Sequence, residues 1–369
     1  MAQVTAGESL GPERRPASAA ATAAPYRPSV VDVLVDAVRG SSWHPVLLYV
    51  VLALLLVGAE IAVLAANGTF PDGFQFMHVM LPTYAMVVLP SFHYRNAVAA
   101  RALADARPLL RLDEQGYQDL RYRLTHLPAG RSLLAALAGL ALLGILLVSR
   151  PAGADAALGL NTSPGATAVE SVLQVLTWSG VGITSYHILH QMWIVNDTYT
   201  RHVTINLFTP GPLYAFSRLT AANTLFTVAF VAIASVALAP GGDLTSGQTT
   251  APQWIIVAAL ALVLAGVSFV APLWGAHRLL VAEKTRQHDE LGRRVEAAIG
   301  TLEARVDTGD FVAAAELTAV LEGLESAETA LHRVSTWPWE PETLRGVATA
   351  LVIPLVIWGI TTGLDRLAS

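Results

Sequence analysis

Apolar residues run along this chain in blocks of membrane length separated by short polar segments. One long polar stretch, residues 277–345, breaks the pattern. Seven blocks approach the roughly 20 residues that a helix needs to cross a bilayer: 44–66, 76–94, 132–149, 169–193, 219–239, 254–280 and 346–364. The second contains Pro82 and Pro90, so it is expected to be kinked and enclosed by neighbours that satisfy the freed carbonyls.

The polar stretch has a periodicity of its own. Leu291, Val295, Ile299, Leu302 and Val306 recur at spacings of three and four, as do Leu317, Leu321, Leu324 and Leu331. Each set makes one apolar stripe on a helix, and Asp307-Thr308-Gly309-Asp310 between them supplies a reversal. The expected structure is an antiparallel, coiled-coil-like helical hairpin. It grows without a break from the sixth block and re-enters the seventh through Trp337-Pro338-Trp339-Glu340-Pro341.

The remaining segments complete the domain plan. Residues 1–28 are rich in Ala, Pro, Ser and Thr and read as a disordered tail. In 29–42, Ser29 caps a short helix whose Val31, Leu34, Val35 and Val38 oppose Asp32 and Asp36, as suits a helix lying at a membrane interface. Residues 43–276 form a bundle of six spans, 277–340 the hairpin, and 341–369 the seventh span with a short tail. Between the second and third spans, an arginine-studded helix ends at Pro108, and Asp113 caps another bearing Leu120, Leu124 and Leu127.

Composition agrees with the pattern. The chain is 53% hydrophobic and 14% charged with a mean hydropathy of +0.50, too apolar for an ordinary soluble globule. It has no cysteine, which excludes disulfides, thiolate metal sites and cysteine nucleophiles. Lys284 is the sole lysine, and the arginine and alanine bias reads as that of a GC-rich prokaryote.

The net charge of -5 matters less than its distribution. Arginines gather before the first block, at 95–131, at Arg201 and Arg218, and in the hairpin. The alternate connections hold Asp72, Asp155 and Asp243 with no basic residue. By the positive-inside rule the expected fold is an all-α polytopic protein of the prokaryotic inner membrane, with about seven transmembrane helices. Its N-terminus and its hairpin, between the sixth and seventh spans, lie in the cytoplasm and its C-terminus outside.

Ionisable residues inside such spans are costly and therefore candidate sites. Glu60, His78 and Glu170 fall toward the outer leaflet, where two carboxylates and an imidazole would bind a cation or relay protons. Against this stands the plainer reading that each carboxylate finds its own partner in the headgroup zone. Toward the inner leaflet lie His93, His187 and His190, the last two at a spacing that places both on one helical face for a metal or for pH sensing. Met77, Met80, Met86 and Met192 lie close to these histidines in sequence, which keeps a soft-metal or haem cofactor in view, although methionines in a kinked span ordinarily fill space. Small residues such as Ala135, Ala138, Gly139 and Gly144 point to close helix packing, and Gly180 and Gly182 to a loosened helix above the histidine pair.

No phosphate-binding glycine loop, HExxH, GxSxG or basic-aromatic nucleic-acid surface is present. The first functional expectation is a homo-oligomeric channel or membrane sensor gated through its hairpin, which would also be the place for a cytoplasmic partner. The alternatives are a proton- or cation-coupled transporter using Glu60 and Glu170, a membrane metal- or haem-binding enzyme, and a scaffold in the lipid bilayer.

Overall fold

The computed structural model describes residues 24–68, 70, 77–148, 164–203, 207, 214–237, 263, 266–339, 342–349 and 352. Among them all regular structure is helical, apart from two isolated bridges, Pro28 with Pro128 and Leu110 with Val203. The expected tail over 1–23, the outer connections 151–163 and 238–253, residues 254–262 and 264–265 of the sixth block and most of the seventh lie outside the described residues.

The first helix, α1 (Val30–Gly40), starts at Ser29, whose Oγ accepts the Asp32 N–H at 3.2 Å. Val31, Val35 and Val38 are buried as the pattern predicts, but two positions differ. Leu34 is exposed, and Asp32 is buried beneath the Leu127 amide, which donates to its Oδ2 at 2.8 Å. Residues 26–28, assigned to the tail from sequence, are held in place. The Tyr26 hydroxyl donates to the His126 carbonyl at 2.8 Å, and the Ala129 N–H donates to the Arg27 carbonyl at 3.0 Å.

Pro45 opens α2 (Pro45–Ala66), where its missing N–H costs nothing. This is the one helix among the described residues both long and apolar enough to cross a bilayer, and residues 129–145 make a shorter apolar helical stretch. Val46, Leu47, Val50, Val51, Leu54 and Leu55 leave most of its surface apolar and exposed.

Next, α3 (Met77–Ala106) carries Pro82 and Pro90 inside a continuous helix and packs against α2. It ends in a 3-10 turn at Arg107–Leu109, and Asp113 then caps α4 (Glu114–Thr125) by accepting the Gly116 N–H at 2.8 Å. The helices α5 (Ala129–Val148) and α6 (Pro164–His202) cross where Gly139 faces the Trp178 carbonyl and Gly182 faces the Ala135 carbonyl. A side chain at either glycine would overlap backbone, so Gly182 serves close packing here and not the loosening expected from sequence. The next helix, α7 (Ala215–Ala237), lies along α3.

The hairpin is α8 (Trp274–Asp307) and α9 (Phe311–Arg333). Gly309 turns the chain at φ +75, and Asp310 caps α9 through the Ala313 N–H at 3.2 Å. The hairpin does not grow unbroken from the preceding apolar run, because a 3-10 turn at Ala271–Leu273, containing Pro272, separates them. Its foot is fixed on several sides. Leu273, Ala276, Leu280 and Leu331 join the main core with Leu103, Tyr199 and Phe216, and the Gly275 N–H donates to Asn196 Oδ1 at 3.1 Å.

Lys284 donates from Nζ to the carbonyls of His332 and Val334, at 3.0 and 2.9 Å, and so caps the carbonyl end of α9. His277 stacks on Trp337, which stacks on Trp339. Farther out the stripes cover each other only in part, and Ile299, Val306, Phe311 and Val312 are exposed.

Candidate functional site

Glu60 lies near the end of α2, His78 at the start of α3 and Glu170 near the start of α6. The helix packing brings the three together. His78 Nδ1 lies 3.0 Å from Glu60 Oε1 and 3.9 Å from Glu170 Oε1, and one ligating atom from each residue falls within 4.8 Å of the others. All three are buried, at 3%, 2% and 5% exposure, and the two carboxylates share His78 as a neighbour.

The chemistry of this trio follows from its donors. An imidazole nitrogen carries at most one proton, so Nδ1–H can satisfy one carboxylate fully, and the 3.0 Å distance selects Glu60. Glu60 Oε2 makes no hydrogen bond among the described residues. Counting formal charges, the trio carries minus two with a neutral imidazole and minus one with imidazolium. Concentrating negative charge in a buried place is unfavourable, and an added proton or metal cation relieves it. Two carboxylate oxygens and one imidazole nitrogen suit a proton or a divalent ion of the manganese or zinc kind.

The inner histidines are not gathered in the same way. His93 Nδ1 lies 3.1 Å from the Tyr49 hydroxyl. His190 Nε2 donates to the Arg123 carbonyl at 3.1 Å, which fixes its tautomer. His187 is buried against the Phe92 ring with centroids 4.1 Å apart, and its ring nitrogens make no hydrogen bond among the described residues. Among the described residues these three imidazoles form no cluster with metal-ligand spacing. Met86 packs with Val38 and Tyr49 as a space-filler, and Met192 is also buried.

No protein-family model, curated protein or solved structure matches the chain.

Two features escaped the sequence pattern. Arg95, one residue beyond the second apolar block, is 1% exposed. Its Nε donates to the Ser91 carbonyl at 3.2 Å, and its guanidinium lies over the rings of Phe92 and Phe226 at 5.2 and 4.9 Å. In the sequence it is one of the arginines that gather at 95–131. The second is on the hairpin, where Glu328 lies beside His288 and His332. The i,i+4 spacing of Glu328 and His332 was the available sequence signal.

Proposed function

We propose that the chain is a multi-pass membrane protein that takes up and passes on protons or a small cation at Glu60, His78 and Glu170. The observation that carries this reading is the convergence of two carboxylates and an imidazole from three helices at 5% exposure or less. A buried group of that charge is costly to keep without function, and in membrane proteins such groups mark ion and proton paths.

The exposed apolar surface of α2 and the alternation of arginine between connections support the setting. In this reading seven helices cross the inner membrane, the N-terminus and hairpin face the cytoplasm, and the trio opens toward the outer leaflet. Glu60 and Glu170 hold the cation. His78 positions Glu60 and exchanges a proton when the cation arrives or leaves.

The test is flux in proteoliposomes. With a pH-sensitive dye or Mn2+ as the transported probe, Glu60→Gln is expected to cut flux at least about tenfold, since it removes one charge while keeping shape. Glu283→Gln, on the hairpin, is expected to leave flux unchanged. Equal flux in Glu60→Gln and the parent chain would overturn the proposal.

A further inference from the structure

The hairpin carries a second group of ligands, set apart from the buried trio and reachable from water. His288 projects from α8, and Glu328 and His332 stand one turn apart on α9. His288 Nε2 lies 3.5 Å and His332 Nε2 3.8 Å from the same oxygen, Glu328 Oε1. The two imidazole rings meet edge to face with centroids 5.4 Å apart, and one ligating atom from each of the three residues lies within 4.8 Å of the others.

Those distances fit one kind of interaction better than another. They exceed the ~2.7–3.2 Å of an N–H···O hydrogen bond, so the imidazoles are not simply donating to the carboxylate. For a tetrahedral ion with bonds of about 2.0–2.1 Å, ligand atoms sit roughly 3.3 Å apart, near the 3.5 and 3.8 Å of the two edges that meet at Glu328 Oε1.

Two imidazole nitrogens and one carboxylate oxygen favour zinc and its neighbours over calcium or magnesium, which prefer oxygen alone. Three protein ligands leave a fourth position for water. The side chains are 42–62% exposed, which gives an ion its entry path.

We propose that His288, Glu328 and His332 form a divalent transition-metal site of the zinc class that ties the two arms of the hairpin together. The ion would join α8 to α9 one turn beyond the Lys284 cap, at the level of the buried Leu331, and fix their separation before the more exposed outer part of the hairpin. This site does not depend on the buried trio, and either can fail without the other.

The experiment uses the full chain in detergent with Glu60→Gln as background, so that binding at the trio is weakened in every sample. Titration with Zn2+ is expected to show one equivalent whose affinity falls at least about tenfold in His288→Ala and in His332→Ala. Titration with Co2+ is expected to give the visible ligand-field bands of a tetrahedral nitrogen and oxygen site, and His332→Ala should abolish them. All three side chains lie on the hairpin surface, so the variants should fold, and circular dichroism checks that they do. Zn2+ isotherms that are superimposable with and without the two histidines would overturn the proposal, as would Co2+ spectra showing only the hexaaqua ion.

Discussion

Asp32 shows how one side chain can tie distant parts of this fold together. Its Oδ2 accepts both the Ser29 hydroxyl, at 2.6 Å, and the Leu127 amide, at 2.8 Å, while the residue is 1% exposed. Burial raises its carboxyl above the ordinary range, and the Ser29 and Leu127 hydrogen bonds offset this only in part. The folded state therefore binds this proton more tightly than the unfolded chain does. The stability this contributes is complete below the ordinary carboxylate range and is lost as pH rises through the raised folded value.

Thermal midpoints of the parent chain measured against Asp32→Asn should accordingly fall as the buffer moves from acid toward neutral. A difference independent of pH would refute this. Asp32→Ala should cost a further 1–3 kcal/mol or so, because the buried Leu127 amide loses its acceptor. Sequence spacing put Asp32 on the polar side of α1 because its acceptor role depends on an amide 95 positions away. The same limit hid His288, whose place beside Glu328 depends on the register between two arms.

Among the elements, the crossing of α5 and α6 depends most on particular residues. Gly139 and Gly182 each face a carbonyl of the other helix so closely that no side chain fits. Gly182→Ala should drive the helices apart and cost about 1–3 kcal/mol or more in reversible unfolding in mild detergent. Gly144, also on α5, has open space where a methyl group would stand, with no atom of the described residues within 4 Å, so Gly144→Ala should leave the unfolding midpoint unchanged or raise it. Because alanine favours a helix over glycine at both positions, equal losses at the two would show that the backbone contact at Gly182 is not responsible.

Local chemistry was legible at this scale wherever it stayed local. Ser29, Asp113 and Gly309 acted as cap, cap and reversal, because each depends on residues within one turn. The break before α8 was less visible, since Pro272 lies within an apolar run that reads as continuous. Which face of each helix meets which neighbour was not encoded in the period of any single stripe.

For the whole molecule, the trio at Glu60, His78 and Glu170 was legible in sequence only as a shared depth, and the fold supplies the contact. Assembly is a property of this scale as well. If copies associate through their hairpins, the full chain should elute as an oligomer in detergent and a chain lacking residues 281–334 as a monomer, with light scattering giving the mass. A monomer in both cases would leave the hairpin without an assembly role. The hairpin also has a mechanical consequence. With 34 residues, α8 is a rod about 51 Å long, anchored at a proline-containing 3-10 turn and clamped at its foot by Trp337, Lys284 and Asn196. A tilt of about 5° at that pivot would carry the far tip through roughly 4 Å, so a small angle at the foot would become a displacement at the tip large enough for a neighbouring molecule to detect.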